Sequence, residues 1–472
     1  MPPTPRRRGR TFTGCWTCRE RRVKCDENRP ACSRCLSAGR TCQGYHLKLS
    51  WVTAHGAIER APRAASQASA PETSERRTPA PSIQRPMQQA THTSGHRLLL
   101  HHWSTYLCDA FMPLSSVNNP LRPLTAIVDE THAAEGNPAS LAILHMLCAS
   151  SATHLARAGV ADLELDATQH ENLAFLWLRR ALKAAQEGEG GMDPYRILAA
   201  ITLCVVHESI KGTSSLWRIH IHAGLRWLRN CQGSLWRPSE SCMALYHLFL
   251  AFLSAALVAP PCYGDSFSPN PEDYQALTTC AKELGHMIGV QAEVVLALVS
   301  ACREVHGHGT EARQRHCALW TITQIMPPPP PPPADAAGTA RQQKLRFHHE
   351  SICYYAVQVL VRRSLGRVPT EQIQDLVQHG VDHMEGFHSL NIPASVPVWP
   401  IQVISCNAMD RATQCRILGW LASPRSREFE VWEKVAALAS SIWELKKQCD
   451  WGVGVDWQDI TPFLLAYDVP MS

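Results

Sequence analysis

The chain has 472 residues, 45% of them hydrophobic, with a formal net charge of +5. That length exceeds one ordinary domain, and the apolar content suffices for a large core. No apolar run reaches the ~18 residues of a membrane helix, so no membrane span is expected. Met1–Arg10 lacks the apolar centre of a secretory signal.

Charge is unevenly placed. Residues 1–50 hold 12 Lys or Arg against 3 Asp or Glu, whereas the remaining 422 hold 34 against 38. A nucleic-acid footprint is therefore expected only at the N-terminus. Residues 1–12 form a basic, disordered tail in which Arg6, Arg7, Arg8 and Arg10 suit either phosphate binding or nuclear import.

Next come Cys15, Cys18, Cys25, Cys32, Cys35 and Cys42. The spacing is C-x2-C-x6-C twice, the second copy displaced by 17 residues. Paired CxxC motifs at this density signal metal thiolate chemistry. Structural zinc takes four ligands, so two separate sites would need eight sulfurs where six are present. Two zinc ions are both satisfied if the first cysteine of each copy, Cys15 and Cys32, bridges them. One ion then holds Cys15, Cys18, Cys25 and Cys32, and the other Cys32, Cys35, Cys42 and Cys15. The competing readings are one four-cysteine zinc with two spare thiols, a disulfide staple and an iron–sulfur site. Nothing points to the oxidising compartment a disulfide needs, and the crowded Arg and Lys fit an iron–sulfur site poorly.

The copies differ in charge. Arg19, Glu20, Arg21, Arg22, Val23 and Lys24 separate Cys18 from Cys25, whereas Leu36, Ser37, Ala38, Gly39, Arg40 and Thr41 separate Cys35 from Cys42. Each stretch predicts a short helix, and only the first is basic enough to enter the major groove of DNA. Phosphate contacts position a protein there and base-edge contacts specify the sequence. Arg21 and Arg22 are the candidates for base contact, Arg19 and Lys24 for phosphates.

The segment from Gly14-Cys15-Trp16-Thr17-Cys18-Arg19 through Lys24-Cys25-Asp26-Glu27 to Arg29-Pro30-Ala31-Cys32 and Cys35 resembles the fungal binuclear zinc cluster transcription factors. The resemblance implies that the six cysteines are zinc ligands, with Cys15 and Cys32 bridging. It implies that Arg22 takes the place of the family's main base-contacting lysine and Arg21 that of its neighbour. Pro30 matches the proline of the loop between the metal helices. DNA sites built on CGG triplets, and regulation of RNA polymerase II genes, are what this resemblance implies.

Residues 46–94 read as a disordered linker. Of the 34 residues from Ala61 to Ser94, 25 are Ala, Pro, Ser, Thr or Gln, too polar to offset the entropy of ordering. No heptad seam follows the cluster. From about Gly95 the pattern is helical: Leu99, Trp103, Tyr106 and Ala110 share one helix face. Asn137-Pro138 and Asp193-Pro194 read as N-caps followed by proline at the first helical position. Helices are predicted near 139–158, 166–187, 194–210, 214–231, 238–257, 272–287, 290–305, 311–325, 341–364, 369–386, 399–421 and 427–448. Seven prolines, Pro327–Pro333, open an exposed insertion to residue 340. Such a run also suits SH3- or WW-type partners. Trp217-Arg218-Ile219-His220 with Ala223-Gly224, Val398-Trp399-Pro400 and Val431-Trp432 resemble the fungal-specific transcription factor domain, which would cover most of 95–472. The 13 cysteines outside the cluster read as buried residues of a reduced protein.

The sequence completes none of the fixed-spacing catalytic motifs that it approaches. His207-Glu208 begins like a zinc protease helix, but Lys211 stands where a second histidine is required. The histidines near Trp103 and Trp217 read as packing or surface groups. Residues 450–465 mix acids with large apolar groups, as an activation segment or a last packed helix does.

The expected fold is mostly α: a two-zinc, six-cysteine module at 13–45, the disordered linker at 46–94, and a large all-α domain of antiparallel helix pairs at 95–472. The expected function is zinc-dependent, sequence-specific binding of double-stranded DNA by a nuclear, non-enzymatic transcription factor. Transcriptional co-regulators and a second copy of the chain are further candidate partners. The alternative is a helical effector-binding or cofactor-docking module with weak, nonspecific DNA binding.

Overall fold

Local capping chemistry starts several of the helices. Asn137 Oδ1 accepts from the Ala139 amide at 2.9 Å, with Pro138 next to it at the helix start. Asp193 accepts from the Tyr195 amide at 3.0 Å, followed by Pro194. Both caps fall where the Asn-Pro and Asp-Pro pairs predict them. Asn270 and Asp273 form a reciprocal capping box around Pro271, and Asp410 accepts from the Thr413 amide at 2.8 Å. Gly212 ends its helix at φ +63°, and a Cβ there would stand 2.7 Å from the Val431 amide nitrogen, so only glycine fits.

The computed structural model describes residues 17–18, 21, 23–26, 28, 32–42, 94–112, 119–130, 136–160, 162–187, 193–212, 216–231, 240–259, 269–307, 311–331, 337–392, 396–423 and 426–448. No strand occurs among them. The chain divides into two units, Met1–Ser82 and Ile83–Ser472. The basic tail, nearly all of the predicted linker and the acidic 450–465 stretch lie outside the described residues.

The first unit contributes α1 (Ser33–Leu36). The second begins with α2 (Ser94–His102), which passes through a π-turn, Trp103–Leu107, into α3 (Cys108–Phe111). Then follow α4 (Pro123–Glu130), α5 (Pro138–Arg157), α6 (Leu163–Glu187), α7 (Pro194–Lys211), α8 (Leu216–Asn230) and α9 (Glu240–Ala256). The later helices are α10 (Pro271–Thr279), α11 (Ala281–Ile288), α12 (Ala292–Val305), α13 (Ala312–Gln324) and α14 (Ala337–Ser364). The last are α15 (Gln374–Ser389), α16 (Val398–Cys406), α17 (Arg411–Leu421) and α18 (Val431–Gln448).

Consecutive helices joined by short turns pack on one another: α5 on α6, α7 on α8, and α14 on α15. The core gathers around α5, α7 and α16, where nearly every side chain is buried. Helix α5 has the length and mean hydropathy of a membrane helix, 1.3 over its best window, yet 83% of that window is buried inside the protein. Its apolar surface is spent on α6, α7, α2 and α4.

Four expectations need correction. Of the stretch between Cys35 and Cys42 only Leu36 is helical, because α1 begins at Ser33 and Ser37–Gly39 form a turn. The helix predicted over 272–287 breaks at Cys280 into α10 and α11. The one predicted over 399–421 breaks at Asn407–Asp410 into α16 and α17. There Gln374, on α15, donates to the Asn407 carbonyl at 3.0 Å and accepts from the Met409 amide at 3.0 Å, holding the break open. Helix α14 begins at Ala337, inside the stretch assigned to the proline-rich insertion, while residues 326–331 are not helical. Helix α4 and the π-turn had no clear sequence signal.

Candidate metal centre and nucleic-acid interface

Two short turns and the segments after them collect the described cysteines. Thr17 and Cys18 are helical, and Cys32 caps α1, its Sγ accepting from the Cys35 amide at 3.3 Å. The 17-residue sequence repeat is also a backbone repeat. The Val23 amide donates to the Cys18 carbonyl at 3.0 Å, and the Arg40 amide donates to the Cys35 carbonyl at 3.0 Å. Gly39, at φ +61°, permits the second of these closures.

Cys18, Cys32 and Cys35 are fully buried, Cys25 nearly so, and the partly buried Cys42 packs against them. Cys18 Sγ lies 3.6 Å from Cys32 Sγ and 3.8 Å from Cys35 Sγ. A disulfide requires about 2.05 Å, so these are separate thiols. With Zn–S near 2.3 Å, the edge of a tetrahedral ZnS4 site is about 3.8 Å. The sulfurs therefore sit at the spacing zinc demands, in a buried, all-sulfur donor set.

Among the described residues, two groups bring three ligand atoms within 4.8 Å of one another: Cys18, Cys32 and Cys35, and Cys25, Asp26 and Cys32. Cys32 belongs to both. The expected partition puts Cys18 and Cys35 on different ions, whereas here they share a group. Cys15 lies outside the described residues, as do Arg19 and Arg22. Arg21 and Lys24 are exposed beside the cluster, as are Arg34 and Arg40.

Two residues that spacing did not flag join the halves. Asp26 Oδ2 accepts from the Ser33 amide at 3.0 Å and from Asn28 Nδ2 at 3.0 Å. Hydrogen bonding from Ser33 lowers its carboxyl pKa. Thr17 Oγ1 donates to the Thr41 carbonyl at 3.0 Å. The available signal was an acid directly after one cysteine of the cluster, with a serine directly after the next.

The helical unit contains one arrangement that imitates a hydrolase. Ser150 Oγ lies 3.2 Å from His207 Nδ1, and His207 Nε2 lies 3.7 Å from Glu171 Oε1. Ser150 and His207 are buried. Lys211 donates to Glu171 at 2.7 Å. Burial raises the Glu171 carboxyl, but His207 and Lys211 outweigh it and hold its pKa at about 2. This is an internal ion network, and Lys211 has its partner in it. Of the histidines near Trp103, His101 is exposed and the other two are packed: His102 Nε2 pairs with His154 Nδ1 at 3.1 Å, and His96 stacks edge-on to His170. Near Trp217, His220 is buried, stacked on Phe175 with its Nε2 3.9 Å from Glu208 Oε1.

A buried cysteine cluster, exposed cations beside it and a large helical unit define the class. Residues 97–466 match the fungal specific transcription factor domain, and residues 13–51 match the fungal Zn(2)-Cys(6) binuclear cluster domain. The first match covers most of the chain, and the protein belongs to this family of fungal zinc-cluster transcription regulators. Its N-terminal domain is thus of a zinc-binding type, compatible with the sulfur spacing.

Among relatives, the chain is 52% identical over 52 residues to the thiamine biosynthesis regulatory protein of Saccharomyces cerevisiae, covering 11% of each. It is 57% identical over 44 residues to the arginine metabolism regulation protein II of the same yeast, covering 9% of this chain and 5% of the relative. It is 68% identical over 37 residues to the aspercryptin biosynthesis cluster-specific transcription regulator atnN of Emericella nidulans, covering 8% and 6%. The chain thus spans about a tenth or less of the length of these relatives. No solved structure matches it.

Proposed function

We propose that the protein is a nuclear regulator of RNA polymerase II transcription that binds CGG-type sites through a two-zinc cluster. The observation that carries this reading is the buried group of sulfurs at zinc spacing with Arg21 and Lys24 exposed next to it. Cys15, Cys18, Cys25, Cys32, Cys35 and Cys42 hold the ions, with Cys15 and Cys32 shared between them. The membership of Cys32 in both ligand groups supports its shared role. Zinc supplies the folding energy that so small a module lacks, on the order of 10–16 kcal/mol per ion. Arg21 and Arg22 read base edges in the major groove, and Arg19 and Lys24 hold phosphates. Co-regulators and a second copy of the chain are further partners in this reading.

Metal analysis of the full chain is expected to give two zinc ions, and Cys32→Ser to lose both; a single ion in the wild type defeats the shared-thiolate arrangement. Selection of duplexes from random DNA is expected to enrich CGG. Arg22→Ala is expected to relax that preference by roughly 1–3 kcal/mol. Lys24→Ala is expected to weaken all sequences alike and lower the salt slope by about 1. Binding indifferent to sequence would leave only phosphate contact.

A further inference from the structure

The described part of the proline run, Pro327–Pro331, follows α13 and has no role in the zinc-cluster reading. Its start is fixed from α14: the Tyr354 hydroxyl donates to the Ile325 carbonyl at 2.6 Å, and Gln358 Nε2 donates to the Ile322 carbonyl at 2.7 Å. Ile325 leaves the helix at φ −73° and ψ 121°, already extended. Every residue from Met326 to Pro331 precedes a proline, which keeps it out of the α region, and each proline ring holds φ near −65°. The run is therefore a polyproline II helix, with three residues per turn and positions i and i+3 on one edge.

Exposure follows that period. Pro328 and Pro331, on one edge, are half-buried. Pro327 and Pro330 are exposed on the second edge, and Met326 and Pro329 on the third, with Met326 at 76%. One edge is partly covered by the protein and two are open. Proline has no N–H, so the run offers only rings and carbonyls. Among the described residues, no donor reaches the carbonyls of Pro327–Pro331. A partner must supply flat apolar faces for the rings and N–H or O–H donors for the carbonyls, and Trp and Tyr side chains carry both. The sequence between Arg315 and Arg341 holds no Lys or Arg, so an acidic groove has nothing to grip in the flanks of the run. A helix already extended loses little conformational freedom on docking.

We propose that Met326–Pro330 is a docking surface for a partner protein whose groove is lined by Trp and Tyr side chains and reads unbroken prolines. The two open edges enter that groove, while the edge of Pro328 and Pro331 stays on the helical unit. The proposal concerns the helical unit alone and stands whether or not the cluster reads CGG.

The test is calorimetric titration of the full, zinc-loaded chain with a purified WW domain that binds unbroken proline runs. Saturable one-to-one binding is expected, displaced by free heptaproline and absent when the groove tryptophan of the probe is replaced by alanine. Pro329→Ala together with Pro330→Ala is expected to weaken binding at least about tenfold, whereas Pro328→Ala, on the covered edge, is expected to stay within about threefold. Pro327→Ala together with Pro330→Ala carries the same expectation and serves if the first pair fails to fold. No binding, binding that heptaproline does not displace, or a loss in Pro328→Ala as large as in the outward pairs overturns the proposal. So does self-association of the chain alone that the outward pairs abolish, which would make a second copy the occupant.

Discussion

One carboxylate joins the two halves of the cysteine module. Asp26, next to Cys25, accepts the amide of Ser33, next to Cys32, so the end of one half is tied to the start of α1. Asp26→Ala is expected to release zinc to a chromogenic chelator several-fold faster than the wild type. Asp26→Asn keeps an acceptor oxygen and is expected to stay close to wild type. Equal release rates for all three proteins would show that the tie holds nothing. Spacing made the cysteine cluster legible because metal thiolate chemistry restricts which residue types stand where. Asp26 was not legible, because its role depends on a fold-back that only the assembled cluster creates.

Helix contacts depend on positions with no side chain as much as on those with large ones. A Cβ on Gly224 would stand 2.3 Å from the ring of Phe249, which is fully buried. Helices α8 and α9 therefore meet at this glycine. Gly224→Ala is expected to destabilise the protein by roughly 1–3 kcal/mol, read as a lowered melting temperature, because the ring has nowhere to move. An unchanged melting temperature would mean that the two helices can part at little cost. Helix starts at Pro138 and Pro194 were legible because a cap acts within one turn. The breaks at Cys280 and at Asn407–Asp410 fall within runs of helical character. At the latter, the hydrogen bonds come from Gln374, distant in sequence. The π-turn escaped for a related reason. One extra residue places Trp103, Leu107 and Cys108 all in the core, a pattern no regular helical period predicts.

Across the helical unit, burial keeps many imidazoles neutral. It lowers the pKa of His145 to about 3, and of His102, His170, His349 and His383 to about 4. In the unfolded chain these rings titrate near 6.5. Below that pH the unfolded state takes up protons that the folded state refuses, so stability is full above about 6.5 and falls as pH drops toward 4. For His145 alone the loss at pH 4.5 is on the order of 3 kcal/mol. The helical circular dichroism transition is expected to move to lower temperature between pH 7 and pH 4.5. His145→Phe is expected to flatten that dependence. A melting temperature that does not change over this range would refute the neutral core.

The paired closures onto the Cys18 and Cys35 carbonyls have a consequence for how the two halves differ. The same bond recurs 17 residues on, so at this closure the mount is the same in both halves and only its cargo differs. Arg21, Val23 and Lys24 ride on one, Ala38, Arg40 and Thr41 on the other. A polyanion meeting this module would thus choose its side by charge alone, not by any difference in these closures.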